Sequence, residues 1–123
     1  MADPVVHFEI IGRDPVQLRE YYGDLFGWEY TVGDTATEKV SEPGNYGFVA
    51  AGDEGINGGI GGGSGHRSTV LFYVGVPNVE EALKKAESLG GRRVFGPEGT
   101  PGEFVVGRFT DPEGNLIGVA GSA

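Results

Sequence analysis

A strand–loop–helix unit occurs twice in this chain, and that repeat limits the folds open to it more than any other feature. Residues 5–27 run Val5-Val6-His7-Phe8-Glu9-Ile10, a short loop, Asp14-Pro15-Val16-Gln17-Leu18 and a helix that stops at Gly27. Residues 69–91 run Thr69-Val70-Leu71-Phe72-Tyr73-Val74, a short loop, Asn78-Val79-Glu80-Glu81-Ala82 and a helix that stops at Gly90-Gly91. The offset is 64 residues in a chain of 123. A repeat of half the chain implies two similar modules sharing one sheet, with a cleft expected where they meet. By length this is a single domain, large enough for a real core.

Local signals place the elements. Residues 5–11 alternate as a strand. Asp14 is an N-cap, Pro15 fits the first helical position and Gln17 completes a capping box. Leu18, Tyr21, Tyr22, Leu25 and Phe26 recur at helical spacing, so the helix spans 15–26. Strands are expected at 28–32 and 45–51, joined by a polar stretch over 33–44, and a short fourth strand over 56–60. The second half repeats the order: a strand over 69–76, a helix capped by Asn78 with a stripe of Val79, Ala82, Leu83, Ala86 and Leu89, then strands over 92–95, 103–110 and 115–120. The sequence Asp111-Pro112-Glu113-Gly114 suits a tight turn. Each half thus reads β-α-β-β-β: module one over about 5–60, module two over about 69–121, and a glycine linker over 61–68.

The formal charge of −9 argues against nucleic acid and anionic membranes as partners. No stretch has the roughly 18 apolar residues of a membrane span. The amino-terminal residues show no signal peptide, and the absence of cysteine removes disulfides and thiolate chemistry. A cytoplasmic protein is expected. Glycine, at 24 residues, is nearly three times its usual share of roughly 7%. The run from Gly58 to Gly65 invites a phosphate-loop reading, but it matches neither G-x-G-x-x-G nor G-x-x-x-x-G-K-[ST], and a strand rather than a helix follows it.

The strand period of two sorts the candidate chemistry. Phe8 and Ile10 share the face expected under the helix, so His7 and Glu9 face the open side of the sheet. There they suit either a base with its orienter or a pair of metal ligands. The same sorting puts Phe72 and Val74 under the second helix, and Leu71 and Tyr73 on the cleft wall. Tyr46, Phe48 and Phe104 lie on middle strands and are expected to line the cleft. His66, beside Arg67 and Ser68, reads as a solvated loop residue. Tyr21, Tyr22 and Trp28 at the end of the first helix read as core or interface.

The doubled β-α-β-β-β order resembles the vicinal oxygen chelate superfamily, which includes glyoxalase I, bleomycin-resistance-type binding proteins, fosfomycin-resistance enzymes and extradiol dioxygenases. Val6-His7-Phe8-Glu9-Ile10, Asp14-Pro15, Tyr21-Tyr22-Gly23-Asp24-Leu25-Phe26-Gly27-Trp28 and the closing Phe109-Thr110-Asp111-Pro112-Glu113-Gly114-Asn115-Leu116-Ile117-Gly118 carry the likeness. The resemblance implies an α+β fold, with two βαβββ modules curving around a cleft and helices on the convex side. It also implies a divalent metal held by side chains from the first and last strands of each module. His7 stands at the first ligand position. Leu71 stands at the second histidine position, Gly118 at that of the closing glutamate, and Gly59 or Ile60 at its counterpart in module one. One of four expected donors remains.

Three functions follow: a metal-free binding protein for a small organic ligand, cationic or hydrogen-bonding; a glyoxalase-like lyase or isomerase using His7 and Glu9, with a divalent metal or without; and a non-catalytic dimeric scaffold. A homodimer is expected for all three, since modules of this kind leave apolar helix faces and sheet edges to cover.

Overall fold

A computed structural model describes residues 2–53 and 55–123. Among these described residues the fold is α+β, two helices and eight strands in the order βαβββ-βαβββ: β1 (Val5–Gly12), α1 (Pro15–Phe26), β2 (Thr31–Gly33), β3 (Tyr46–Val49), β4 (Asn57–Gly62), β5 (Thr69–Gly75), α2 (Val79–Ser88), β6 (Arg92–Thr100), β7 (Phe104–Thr110) and β8 (Leu116–Gly121). Two compact units result, one of residues His7–Val70 and one of residues 2–6 with Leu71–Ala123.

In the first unit the strands run β2-β3-β4-β1, with β1 parallel to β4 and the other pairs antiparallel. Helix α1 starts where the sequence places it. The Asp14 carboxylate accepts from the Gln17 N–H at 3.1 Å, Pro15 follows the cap, and Gly27 closes the helix in the left-handed region at φ 74°. Trp28 does not begin a strand. It sits in an aromatic cluster with Phe8, Tyr22 and Phe26, at centroid distances of 5.1, 5.7 and 5.3 Å. Packing of the indole ring takes residues 28–30 out of the ladder and shortens β2 to three residues.

The stretch 33–44, expected to be a polar loop, supplies core. Val40 and Ser41 are buried, and the Ser41 hydroxyl accepts from the Gly62 N–H at 2.9 Å. Strand β4 correspondingly runs to Gly62, two residues into the segment read as a linker, with Ile60 fully buried.

The second unit runs β5-β8-β7-β6, with β5 parallel to β8. Asn78 caps α2 by accepting from the Glu81 N–H at 2.9 Å. Val79 and Leu83 pack with Val105 and Val119, flanked by Val76, Ala82 and Phe109. Leu89, counted in the apolar stripe, is the C-cap and is 70% exposed. Phe72, expected beneath α2, is 40% exposed.

Strand β6 does not stop at Phe95. It continues to Thr100 through register irregularities between Arg93 and Glu98, which absorb Gly96 and Pro97 without ending the pairing. Arg93 ties β6 to α2, donating to Glu80 at 2.6 and 2.9 Å and to Glu87 at 2.8 and 3.2 Å.

Candidate functional site

Three side chains on the helix-free face of the first unit meet in one hydrogen-bonded group. Glu9 on β1 is 2% exposed, and so is Tyr46 on β3. The Tyr46 hydroxyl donates to Glu9 Oε2 at 2.8 Å. The Tyr46 hydroxyl oxygen also lies 2.7 Å from His7 Nε2. A phenol carries one proton, and here it is committed to the carboxylate. The second bond must then be received, so His7 donates through Nε2–H. This is the tautomer that an ionised Glu9 requires.

Burial lowers the His7 pKa from 6.5 to about 4. The imidazole is therefore neutral at pH 7, because desolvation penalises the charged form. Its ring stacks near the Tyr46 ring, with centroids 6.2 Å apart. Phe48, two residues along β3 on the same face, packs at 4.8 Å from the Tyr46 ring and is 38% exposed. It thus presents an aromatic surface beside the polar group. The local alternation of β1 and β3 is what brings His7, Glu9, Tyr46 and Phe48 to one face.

The second unit carries a different arrangement on its helix-free face. Register aligns Tyr73 on β5, Gly118 on β8, Arg108 on β7 and Phe95 on β6 in a row across the four strands. Tyr73 and Arg108 are both buried. Arg108 Nε donates to the Tyr73 hydroxyl at 3.0 Å, and the guanidinium lies 5.4 Å from the Phe95 ring centroid, a cation–π contact.

Leu71 is buried on β5 as well, whereas Phe104 is 46% exposed at the start of β7. Phe104 lines a separate open groove of about 470 Å³ with Val6, Val76 and Ala120. His66 lies in the loop after β4, its backbone N–H donating to Gly63 O at 3.0 Å.

The seven expected site residues therefore divide. His7, Glu9, Tyr46 and Phe48 come together, Leu71 and Tyr73 share a strand face of the other unit, and Phe104 belongs to its own groove. The sequence reading passed over Arg108. Its signal was a lone cation within the otherwise uncharged run Phe104–Phe109, where a charge is buried only if it is held.

Among the described residues no group of three or more His, Cys, Asp or Glu side chains is placed to hold a metal ion. Leu71 and Gly118 offer no side-chain donor atom.

The family model of the Glyoxalase/Bleomycin resistance protein/Dioxygenase superfamily matches residues 5–119. Solved structures of similar fold include methylmalonyl-CoA epimerase in complex with methylmalonyl-CoA and NH4+, at TM-score 0.69 and 14% identity, covering 100% of this chain and 96% of that one. A Streptomyces coelicolor methylmalonyl-CoA epimerase variant in complex with 2-nitronate-propionyl-CoA gives TM-score 0.71 at 14% identity, over 100% and 96% of the two chains. The Mycobacterium tuberculosis methylmalonyl-CoA epimerase gives 0.67 at 13%, over 97% and 87%. At these identities the likeness is one of fold. No curated protein matches the chain.

Proposed function

This chain belongs to the Glyoxalase/Bleomycin resistance protein/Dioxygenase superfamily, and from that premise we propose that it binds a small organic ligand on the sheet face carrying His7, Glu9, Tyr46 and Phe48, without a complete metal site. One observation carries this reading. The one donor that the superfamily resemblance places at a ligand position, His7, already spends Nε2 on Tyr46, and the corresponding positions Leu71 and Gly118 have no side-chain donor to add. A catalytic metal ordinarily takes about three protein ligands. The side chains at the superfamily ligand positions, His7 alone, fall short of that number.

The charge of −9 and the buried Glu9 favour a neutral, hydrogen-bonding or cationic ligand over a polyphosphate-bearing thioester such as those bound by the epimerases of similar fold. Leu71, Tyr73 and Phe104 belong to the other unit and are proposed as contacts for a ligand there, Phe104 in its own groove.

A thermal-shift panel of small amines, amides and aromatic compounds tests the reading. A true ligand at 100 times its Kd adds about 2.7 kcal/mol, a shift of several degrees. Zn²⁺, Ni²⁺ or Co²⁺ should not raise the melting temperature, and elemental analysis of protein purified without a metal-affinity step should show no stoichiometric metal. A silent panel, or one equivalent of tightly held metal, overturns it.

A second reading rests on the neutral imidazole and its bond to Tyr46: His7 as general base in a lyase or isomerase, oriented by Tyr46 and Glu9. Once a turnover substrate is known, unchanged activity in His7→Ala removes it. A homodimer is part of the proposal, supported by the exposed Tyr21, Leu25 and Phe26 of α1. Light scattering that shows a monomer at micromolar concentration refutes it. A cytoplasmic location is also proposed; among the described residues no helix is long and apolar enough to cross a membrane.

A further inference from the structure

The ligand reading leaves the glycine run Gly58-Gly59-Ile60-Gly61-Gly62-Gly63 unexplained. Backbone geometry divides its members. Gly62 and Gly63 have φ of 126° and 145°, a region that L side chains avoid. Gly58, Gly59 and Gly61 do not have positive φ, and neither does Gly118. An alanine would suit the backbone at each of these four positions, so what excludes a side chain there is a neighbour.

At Gly59 the neighbour is Tyr46. A Cβ on residue 59 would clash with Cε1, Cζ and the hydroxyl oxygen of Tyr46. One on Gly61 would lie 2.6 Å from Tyr46 Cδ2 and 2.8 Å from Ser41 Oγ. In the other unit a Cβ on Gly118 would fall inside the Tyr73 ring. The two positions correspond: Gly59 pairs with Glu9 and Gly118 with Tyr73, and Glu9 and Tyr73 are themselves 64 residues apart. In each unit the phenol over the glycine bonds a buried charged residue, Glu9 in one and Arg108 in the other. The ring is supplied by β3 in the first unit and by β5 in the second, so the shared feature is the bare backbone rather than the strand that covers it.

We propose that Gly59 and Gly118 are positioning residues, each leaving the space in which a tyrosine ring lies against the neighbouring strand so that its hydroxyl reaches a buried charged side chain. That these hydroxyls serve a ligand rests on the reading above; the positioning itself does not.

The test pairs each glycine with its ring. Gly59→Ala overpacks the slot and should lower the melting temperature by roughly 5–10 °C. In a Tyr46→Leu background the same change should add no more than about 2 °C, because the new methyl enters space the ring has left. Gly118→Ala should behave likewise against Tyr73→Leu. A purely conformational need for glycine would instead make the losses add, which overturns the proposal.

The spectroscopic arm follows the hydroxyl proton of Tyr46, buried and hydrogen-bonded to Glu9 beside the His7 ring, in proton NMR. Gly59→Ala should abolish it and Gly118→Ala should leave it. Its survival in Gly59→Ala is a second refuting result. Should Gly59→Ala alone not fold, a folded Gly59→Ala/Tyr46→Leu protein supports the proposal, and an unfolded one beside a folded Tyr46→Leu overturns it. None of these readouts uses a ligand, so failure here and failure of the binding reading are separate results.

Discussion

Removing a single oxygen probes the polar group of the first unit most sharply. Tyr46→Phe keeps the ring, its stacking on His7 and its contact with Phe48, and deletes only the hydroxyl. Two hydrogen bonds go with it: the one donated to the Glu9 carboxylate at 2.8 Å and the one made with His7 Nε2 at 2.7 Å. Water cannot readily replace the first, because Glu9 is 2% exposed. A hydrogen bond to a charged group contributes about 1.5–3 kcal/mol and a neutral one about 1, so the loss should be about 3 kcal/mol. For a domain of this length that is a drop in melting temperature of roughly 10 °C. Calorimetry or circular dichroism at pH 7 reads it directly. Tyr21→Phe, at a residue 59% exposed, is the control and should melt with the wild type. A drop below about 3 °C for Tyr46→Phe would mean that the hydroxyl is not holding a buried carboxylate, and the description of the site would fail.

Two further outcomes are expected. Leu83 is fully buried among Val79, Val105 and Val119, and Leu83→Ala should cost about 2–5 kcal/mol in denaturant unfolding; a loss under 1 kcal/mol would show that α2 is not seated on β7 and β8. Acid should also weaken the fold through His7. Its folded pKa of about 4 lies below the 6.5 of the unfolded chain, so between these values the unfolded state takes up a proton that the folded state does not. Stability is intact above pH 6.5 and falls progressively to pH 4, by about 3 kcal/mol from this group. Denaturant titrations at pH 7.5, 5.5 and 4 should therefore show a steeper decline for the wild type than for His7→Gln, and equal slopes would contradict a desolvated neutral imidazole.

Legibility tracked the range of the interaction. Caps and turns act over three or four residues, so Asp14, Gly27, Asn78 and the Asp111–Gly114 turn could be placed from the sequence, and the structure bears them out. The turn is built as expected, with the Gly114 N–H donating to Asp111 O at 2.9 Å and Gly114 at φ 89°. The face assignment of His7 and Glu9 followed from strand alternation alone. Errors fell where a distant partner decided the outcome: Trp28 left β2 for an aromatic cluster, Ser41 was buried by its bond to Gly62, and β4 ran on into glycines that read as a linker.

By itself the sequence determined the repeat, the order βαβββ-βαβββ, the helix ends and the one histidine left at a superfamily ligand position, because each is written in short-range pattern. Tertiary structure decided what that histidine does. Its bond to Tyr46, 39 residues away in sequence, sets the part the ring plays in the polar group, and burial of the ring keeps it uncharged. The tertiary structure also brought Arg108 to Tyr73 across 35 residues. Strand register sets such encounters, and register is a property of the assembled sheet that no local window contains.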